Sequence, residues 1–350
     1  MSESRVAVVG AGPAGCGAAY ALRGTDRAVT VVEARDRPGG RMRTARRDGT
    51  VYDYGANYVK PDDAAVTELL TGPLSAGLVA VEGDVWTFGA DGTIAPGREG
   101  DPRKWTYRTG IRTLADRLLD RADATVATGS TVTRLDREGA GWRLHREGGR
   151  RTEVDDVVLA VPPSALAHLL GDGDWRDADP LRADLAAAAS AADYRPVVTA
   201  VLQYPFVLDR PWYGLVNTDR EHEVGWLSRE ECKPGHVPDG ESVLIVQLSP
   251  DCSRRRLDQP DGVVATAAAG LVADLLGDDR LAEPRWSDVR RFRHALPEET
   301  APKGLRERAV EHGLHLAGDW LVGEGRVHLA LRSGLDAGER VIERSVERSS

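Results

Sequence analysis

Three glycines and one glutamate near the start of the chain have the types and spacing needed to bind a dinucleotide. Gly10, Gly12 and Gly15 follow a short valine-rich stretch at the G-x-G-x-x-G spacing. In this pattern the first glycine permits a tight turn, the second lets a pyrophosphate approach the backbone, and the third lets a helix pack closely on a strand. Glu33 stands where an acidic side chain accepts hydrogen bonds from ribose hydroxyls and repels a 2′-phosphate. These residues therefore predict FAD or NAD, rather than NADP, as the bound nucleotide.

A strand, a helix and a second strand must position these residues. A buried strand through residues 6–9 leads into the glycine turn, and a helix then runs to Leu22, with Gly24 after its end. A second strand through residues 28–32 ends at Glu33. The pyrophosphate is expected at the helix N-terminus, where free N–H groups and the positive end of the helix dipole meet an anion.

The residues that follow Glu33 resemble those of the flavin-containing amine oxidase superfamily. They continue as Ala34-Arg35-Asp36-Arg37-Pro38-Gly39-Gly40-Arg41, which has the superfamily's E-A-x-D-x-x-G-G-R pattern. Further motifs follow in the superfamily's order: D-Y-G-A at residues 53–56, A-V-P-P at residues 160–163 and A-G-D at residues 317–319. The resemblance implies an α/β fold, with a Rossmann-like FAD-binding lobe (p-hydroxybenzoate hydroxylase-like/amine oxidase type) and a discontinuous α+β substrate lobe.

The resemblance also implies which residues bind the cofactor, FAD. They are Gly10, Gly12, Pro13, Ala14, Gly15, Glu33, Ala34, Arg35, Gly40, Arg41, Asn57, Val132, Gly318, Asp319, Val327 and His328. The segment around Val132 is expected to contact adenine through its backbone, and Asp319 to hold the ribitol chain. The helix that begins near Arg326 is expected to point at the N1–C2=O edge of the flavin, where negative charge collects on reduction. No cysteine follows Cys252, so FAD is expected to be non-covalent, and no metal site is expected.

The two lobes are expected to alternate along the chain. Residues 1–60, 105–162 and 283–350 are predicted to form the FAD-binding domain, and residues 61–104 and 163–282 the substrate domain. Residues 78–81 and 85–88 are predicted to pair as a hairpin. Pro162 and Pro163 are expected to end the last strand before the chain leaves the FAD-binding lobe.

Within the superfamily, the chain is most similar to the renalase branch. The similarity rests on the short length, a strand at residues 197–204 that contains no lysine, and three motifs: G-G-R-M at residues 39–42, D-Y-G-A-N-Y at residues 53–58 and Phe292-Arg293-His294. It implies oxidation of a misreduced dihydronicotinamide, with oxygen as the electron acceptor and hydrogen peroxide as a product. The residues expected at the substrate face, as candidate catalytic residues, are Tyr58, Tyr107, Arg293, His294 and His328.

Two other functions stay open at this point. A flavin amine oxidase or carotenoid-type desaturase is disfavoured by the small substrate lobe and by the missing lysine, which ordinary amine oxidases carry on that strand. A protein that binds FAD but catalyses no reaction is disfavoured, because the motifs expected at both ends of the cofactor are intact. His294 and His328 also fit structural or solvated imidazoles, and Arg293 also fits a surface cation.

The composition limits which binding partners and which cellular compartment are expected. The formal net charge of −9 disfavours nucleic acid and anionic membranes as partners, so a small-molecule substrate is expected. Three cysteines form neither an even set nor a metal spacing, which favours a reducing cytoplasm. No signal peptide or membrane span is expected, and the oligomeric state is not predicted. The scarcity of lysine fits codon bias in a GC-rich genome or adaptation to salt.

Overall fold

Two large sheets of different type organise the protein. The computed structural model describes residues 4–98, 100, 102–171 and 173–349. The strands are β1 (Ser4–Val9), β2 (Arg27–Val32), β3 (Thr44–Arg47), β4 (Thr50–Asp53), β5 (Leu78–Ala80), β6 (Asp84–Phe88), β7 (Ile94–Ala95), β8 (Trp105–Tyr107), β9 (Thr125–Ala127), β10 (Val132–Glu138), β11 (Gly141–Arg146), β12 (Arg151–Val154), β13 (Asp156–Leu159), β14 (Tyr194–Tyr204), β15 (Trp212–Asn217), β16 (Val224–Arg229), β17 (Ser242–Leu248), β18 (Trp286–Pro297) and β19 (Leu314–Leu316). The α-helices are α1 (Pro13–Ala21), α2 (Ala64–Thr71), α3 (Thr113–Leu119), α4 (Pro163–Gly171), α5 (Asp179–Ala191), α6 (Pro250–Arg256), α7 (Asp261–Leu276), α8 (Leu305–Glu311) and α9 (Val327–Ser349).

The first sheet is parallel and contains the glycine turn at one edge. Its strand order is β19-β13-β1-β2-β9. Both faces are buried: Val6 and Val8 belong to one core, and Ala7 and Val9 to another. The carboxyl ends of neighbouring parallel strands meet at the same edge, so β1 and β2 bring the glycine turn and Glu33 together. The predicted Rossmann-like lobe is confirmed.

The second sheet is mostly antiparallel, with the order β18-β14-β17-β16-β15-β6-β7. One face packs on α7, whose buried residues share a core with Val198 and Leu244. The helix ends at Gly277, which has the left-handed backbone (φ +62°) that favours glycine in this position. Within the described residues, no helix combines the length and the apolar character needed to cross a membrane.

Two parts of the predicted domain division differ from the observed packing. β18 pairs with β14, so it belongs to the second sheet, although the division at residue 283 places it in the FAD-binding domain. Conversely, Leu170 of α4 and Leu185 of α5 share a core with Val157 of the first sheet, although the division assigns both helices to the substrate domain. Both errors arise because apolar faces find distant partners that local sequence does not reveal. The remaining boundaries stay a prediction.

The predicted hairpin of residues 78–81 with 85–88 is wrong. β5 pairs with β8, whereas β6 pairs in parallel with β15 and antiparallel with β7. The turn between the two segments is real, with Gly83 at φ +85°. However, Val81 packs against Tyr213 and Cys232, and Glu82 N–H donates to the Cys232 carbonyl (2.8 Å). Contacts with residues far along the chain therefore separate the two segments.

Candidate cofactor and substrate site

A cavity of about 680 Å³ is lined by strands of the second sheet, by loops, and by the first residues of α1 and α9. Pro13, Arg41 and Asp319 line it on the nucleotide-binding side, and Val197 and Trp226 on the side of the second sheet. Its volume lies within the range of cavities that hold cofactors and small molecules.

The glycine turn leaves room for a ligand at one position in particular. A Cβ on Gly15 would lie 1.8 Å from the Gly10 carbonyl oxygen, and a Cβ on Gly10 would lie 2.6 Å from that of Ala160, so packing alone requires both glycines. At Gly12, by contrast, the nearest atom to a Cβ would be Gly40 Cα at 3.8 Å. Packing within the protein therefore does not require a glycine at this position, whereas the close approach of a phosphate to the backbone would require one.

The N-terminus of α1 fits the predicted pyrophosphate. The helix begins after Gly12 with Pro13 in its first turn, and it has neither a side-chain cap nor an acidic residue in that turn. The N–H groups of Ala14 and Gly15 belong to this uncapped turn, in which the first helical amides have no intrahelical acceptor. An anion at this end would receive their hydrogen bonds and the favourable end of the helix dipole.

Glu33 lies at the end of β2 with its carboxylate aimed at the glycine turn. It is 8% exposed and accepts hydrogen bonds from the backbone N–H groups of Ala11 (2.7 Å) and Arg35 (3.0 Å). A carboxylate has about four acceptor positions, so about two remain for ribose hydroxyls. Ala34 is exposed. Val132 is half-buried at the start of β10, and its adenine contact stays a prediction.

The G-G-R and A-G-D motifs meet through an ion pair across the nucleotide-binding side of the cavity. The Arg41 guanidinium donates to both carboxylate oxygens of Asp319 (2.6 and 2.7 Å), and the Tyr194 hydroxyl donates to Asp319 (3.0 Å). Burial alone would lower the pKa of Arg41, but the Asp319 carboxylate raises it above its usual value. Three acceptor positions of Asp319 are thus in use, and about one remains for a ribitol hydroxyl. Tyr194 is not among the site residues predicted from the sequence.

The backbone around this ion pair holds the two motifs in place. Gly40 has a left-handed backbone (φ +55°), and a Cβ there would lie 2.9 Å from Gly12 Cα. This close approach brings the G-G-R turn against the glycine turn. Gly318 (φ +140°) donates its N–H to Ser333 Oγ of α9 (3.1 Å). The structure therefore brings the predicted residues of both motifs to one region.

The start of α9 supplies Val327 and His328, and both line the cavity. His328 is 4% exposed. Burial lowers the pKa of this imidazole from its usual value, so the ring stays neutral to lower pH than a solvated histidine. Asn57 also lines the cavity, and its side-chain oxygen accepts a hydrogen bond from Ser228 Oγ (3.4 Å).

Of the five predicted substrate-face residues, Tyr58 and His328 line the cavity. The Tyr58 ring contacts the rings of Tyr213 and Trp226, each at a centroid distance of 6.1 Å. Tyr107 does not reach the cavity. It is 1% exposed, and its hydroxyl donates to the Leu74 carbonyl (2.8 Å) inside the core. This corrects its predicted role, since a buried tyrosine satisfied by backbone has a structural function.

Arg293 and His294 also lie outside the cavity lining. On β18, successive side chains point to opposite faces, and Phe292 is the residue that lines the cavity. Arg293 is exposed and pairs with Asp258 (2.6 Å). His294 is exposed and lies 3.4 Å from Ser164 Oγ. Strand alternation explains the position of Arg293. His294 would share the face of Phe292 in a regular strand, but the pairing of β18 with β14 is irregular between Phe292 and Leu296. Both predicted substrate-face positions are therefore corrected.

Asp53, the first residue of the D-Y-G-A motif, lies outside the cavity lining and is one of four fully buried charged or titratable side chains. We call Asp53, Glu230, Lys233 and His236 the buried charge cluster; each is 0% exposed. Lys233 Nζ lies 3.2 Å from Asp53 and 2.6 Å from Glu230, and His236 Nδ1 lies 2.8 Å from Glu230. Burial alone would lower the pKa of Lys233, but the two carboxylates raise it. The ammonium thus supplies the positive charge between the carboxylates and fixes the D-Y-G-A turn to the segment after β16.

Several cavity residues were not predicted. Gln247 donates to the Gly55 carbonyl (3.0 Å) across 192 residues of sequence, and nothing in its buried strand indicates this. Lys60 and Lys104 also line the cavity, so a lysine-free β14 does not keep lysine out of the site. Lysine is rare in this chain, and two of its four lysines line this cavity. That rarity is a feature of the sequence that could have drawn attention to them.

We expect the flavin to leave the protein on acid precipitation. Cys16, Cys232 and Cys252 are buried, and none of them is among the described residues that line the cavity. A thioether to the flavin therefore has no donor. Yellow colour in the supernatant with a colourless pellet is the expected result, and colour that stays with the denatured chain would contradict it.

Comparisons with known proteins agree with this geometry. Residues 80–342 match the family described as flavin containing amine oxidoreductase, and residues 8–72 match an NAD(P)-binding Rossmann-like domain. Mitochondrial protoporphyrinogen oxidase of Nicotiana tabacum is 44% identical over 69 residues, which is 20% of this chain and 14% of that protein. Putrescine oxidase of Kocuria rosea is 48% identical over 68 residues, 19% of this chain and 14% of that protein. The matched segments thus span a small part of these relatives.

Solved structures extend the similarity to the whole fold. A putative protoporphyrinogen oxidase from Exiguobacterium sp. 255-15 superposes with a TM-score of 0.79 and 17% identity, over 100% of both chains. Putrescine oxidase bound to putrescine gives a TM-score of 0.75 at 18% identity, over 97% of this chain and 99% of that one. At these identities the likeness establishes the fold.

Proposed function

Because the chain belongs to the family of flavin-containing amine oxidoreductases, for which FAD is the cofactor, we propose that it is an FAD-dependent oxidase of renalase-like specificity. The prediction of FAD is confirmed at the level of the family. The proposed substrate is a dihydronicotinamide that gives up a hydride. Oxygen is the proposed electron acceptor, with hydrogen peroxide as product, and the cytoplasm is the proposed compartment.

The observation that carries this proposal is the sign of the charge around the cavity. The cationic residues that line it are Arg41, Lys60, Lys104, Arg195, Arg220 and Arg326, and the acidic ones are Asp319 and Glu324. Asp319 is already paired with Arg41. A protonated amine would enter a region of like charge, whereas the phosphates of a nicotinamide nucleotide would be attracted. This favours the dihydronicotinamide over the amine.

The remaining lining fits a planar, partly polar ring. Tyr58, Trp226 and Phe292 supply aromatic surface, while Asn57 and Gln247 supply amide groups. These side chains would orient a nicotinamide ring and exclude water around it. Bound FAD would supply the redox chemistry by accepting the hydride and passing electrons to oxygen. An ordinary amine must first lose a proton, whereas a dihydronicotinamide gains aromaticity as hydride leaves and requires no strong base.

Anaerobic stopped-flow reduction tests the proposal. We expect the 2- or 6-dihydro isomers of NADH to bleach the flavin far faster than benzylamine, putrescine or the ordinary 4-dihydro isomer. The 4-dihydro isomer is the matched control, because it has the same charge and size and differs in the position of the hydride. Fast bleaching by an amine, with none by the isomers, would assign the protein to amine oxidation instead.

A further inference from the structure

The cationic residues of the cavity differ in how fully their charges are paired. The chain as a whole is acidic, with 55 aspartates and glutamates against 46 lysines and arginines. In the cavity, Arg41 pairs with Asp319, Arg195 pairs with Glu298, and Arg326 lies 4.0 Å from Glu324. These pairs reduce the charge available to a ligand. Lys60 and Arg220 also line the cavity, and their surroundings differ from those of the paired arginines.

Arg220 has an unfavourable backbone conformation in a loop that joins two inner strands of the second sheet. It lies in the loop between β15 and β16 with a left-handed φ of +65°. The preceding Asp219 organises this loop: its carboxylate accepts hydrogen bonds from the N–H groups of Ala90 (2.7 Å) and Glu221 (3.1 Å) and from Asn217 Nδ2 (2.9 Å). A left-handed non-glycine residue persists only where its surroundings impose it, and such positions concentrate at binding sites.

Lysine approaches the same cavity from a different part of the chain. Lys60 follows the D-Y-G-A motif and is half-buried. Lys104 is 4% exposed, with Nζ 5.8 Å from the centroid of the Tyr58 ring and a hydrogen bond to the Pro102 carbonyl (3.3 Å). Among the residues that the structure describes, no carboxylate forms an ion pair with Lys60 or Arg220. A cavity lined by such charges attracts an anion.

The cofactor does not account for Arg220. The FAD pyrophosphate is expected at the N-terminus of α1, beside Gly12 and Pro13, whereas Arg220 is anchored through Asp219 and Asn217 to the second sheet. We propose that Arg220 and Lys60 form an anion-binding subsite that recognises a phosphate or carboxylate group of the substrate. This deepens the proposed function and rests on it for the identity of that group, which in a dihydronicotinamide dinucleotide is the pyrophosphate.

Binding of small anions to the FAD-loaded protein tests the subsite without turnover. Inorganic pyrophosphate and citrate are titrated by calorimetry into the wild type, Arg220→Gln and Lys60→Gln. We expect each substitution to weaken binding about tenfold, the cost of losing one charged hydrogen bond. Arg150→Gln is the matched control, because Arg150 is an exposed loop arginine outside the cavity lining. An effect on pyrophosphate alone identifies phosphate recognition, and an effect on citrate alone identifies carboxylate recognition.

Equal affinities of the wild type and both variants for both anions would overturn the subsite. The reduction kinetics separate this failure from a failure of the proposed function. If the dihydro isomers bleach the flavin and Arg220→Gln raises their apparent Kd about tenfold with the limiting rate unchanged, both proposals stand. If the isomers bleach the flavin quickly but Arg220→Gln leaves their apparent Kd unchanged, the subsite is wrong and the proposed function stands. If pyrophosphate binding depends on Arg220 but no isomer bleaches the flavin, the proposed function is wrong and the subsite stands.

Discussion

Replacement of Glu33 by alanine is expected to weaken FAD binding by at least about a hundredfold while the protein stays folded. Each ribose hydroxyl would donate a charge-assisted hydrogen bond to this carboxylate, and each such bond contributes about 1.5–3 kcal/mol. Two of them correspond to about two or more powers of ten in Kd. Titration of FAD into apoprotein, followed by quenching of flavin fluorescence, measures the effect.

Two further variants separate cofactor binding from damage to the turn. Glu33 also accepts hydrogen bonds from Ala11 and Arg35, so Glu33→Gln, which keeps the shape of the side chain and one acceptor oxygen, should lose less affinity than Glu33→Ala. Asp36→Ala is the matched control, because Asp36 is an exposed acid nearby, and it should bind FAD as the wild type does. Wild-type affinity in Glu33→Ala would remove this residue from the cofactor site.

Replacement of Lys233 by methionine is expected to destabilise the protein by about 3–5 kcal/mol, the usual cost of removing one partner from a buried ion pair. The ammonium is 0% exposed between Asp53 and Glu230. Methionine fills a similar volume but leaves two buried carboxylates without their shared cation. Urea unfolding at saturating FAD, monitored by tryptophan fluorescence, measures the loss in free energy of unfolding.

The matched control is Lys303→Met, because Lys303 is exposed and should change stability by less than about 0.5 kcal/mol. The double variant Lys233→Met with Glu230→Gln should recover part of the loss, since one uncompensated charge is removed with the lysine. If Lys233→Met unfolds at the same urea concentration as Lys303→Met, the buried charge cluster does not hold the D-Y-G-A turn in place.

Local chemistry explains what the sequence predicts correctly. A tight turn and a close helix–strand contact each require a glycine at a set position, and Gly10 and Gly15 meet these requirements within a single strand–helix–strand unit. The same holds for the end of α7 at Gly277, where a left-handed backbone favours glycine. Such constraints act over a few residues, so a single sequence is enough to recognise the FAD-binding lobe.

Only the tertiary structure decided which side chains meet across long separations. The Arg41–Asp319 pair joins motifs 278 residues apart, and Lys233 reaches Asp53 across 180 residues. β18 turns Phe292 toward the cavity and Arg293 toward solvent, because its pairing with β14 sets which face is buried. The charge of the cavity likewise depends on loops that converge in space. Sequence specifies the residue types and their local backbone, but partners, faces and burial depend on how distant apolar surfaces pack, and this packing is determined by the whole chain at once.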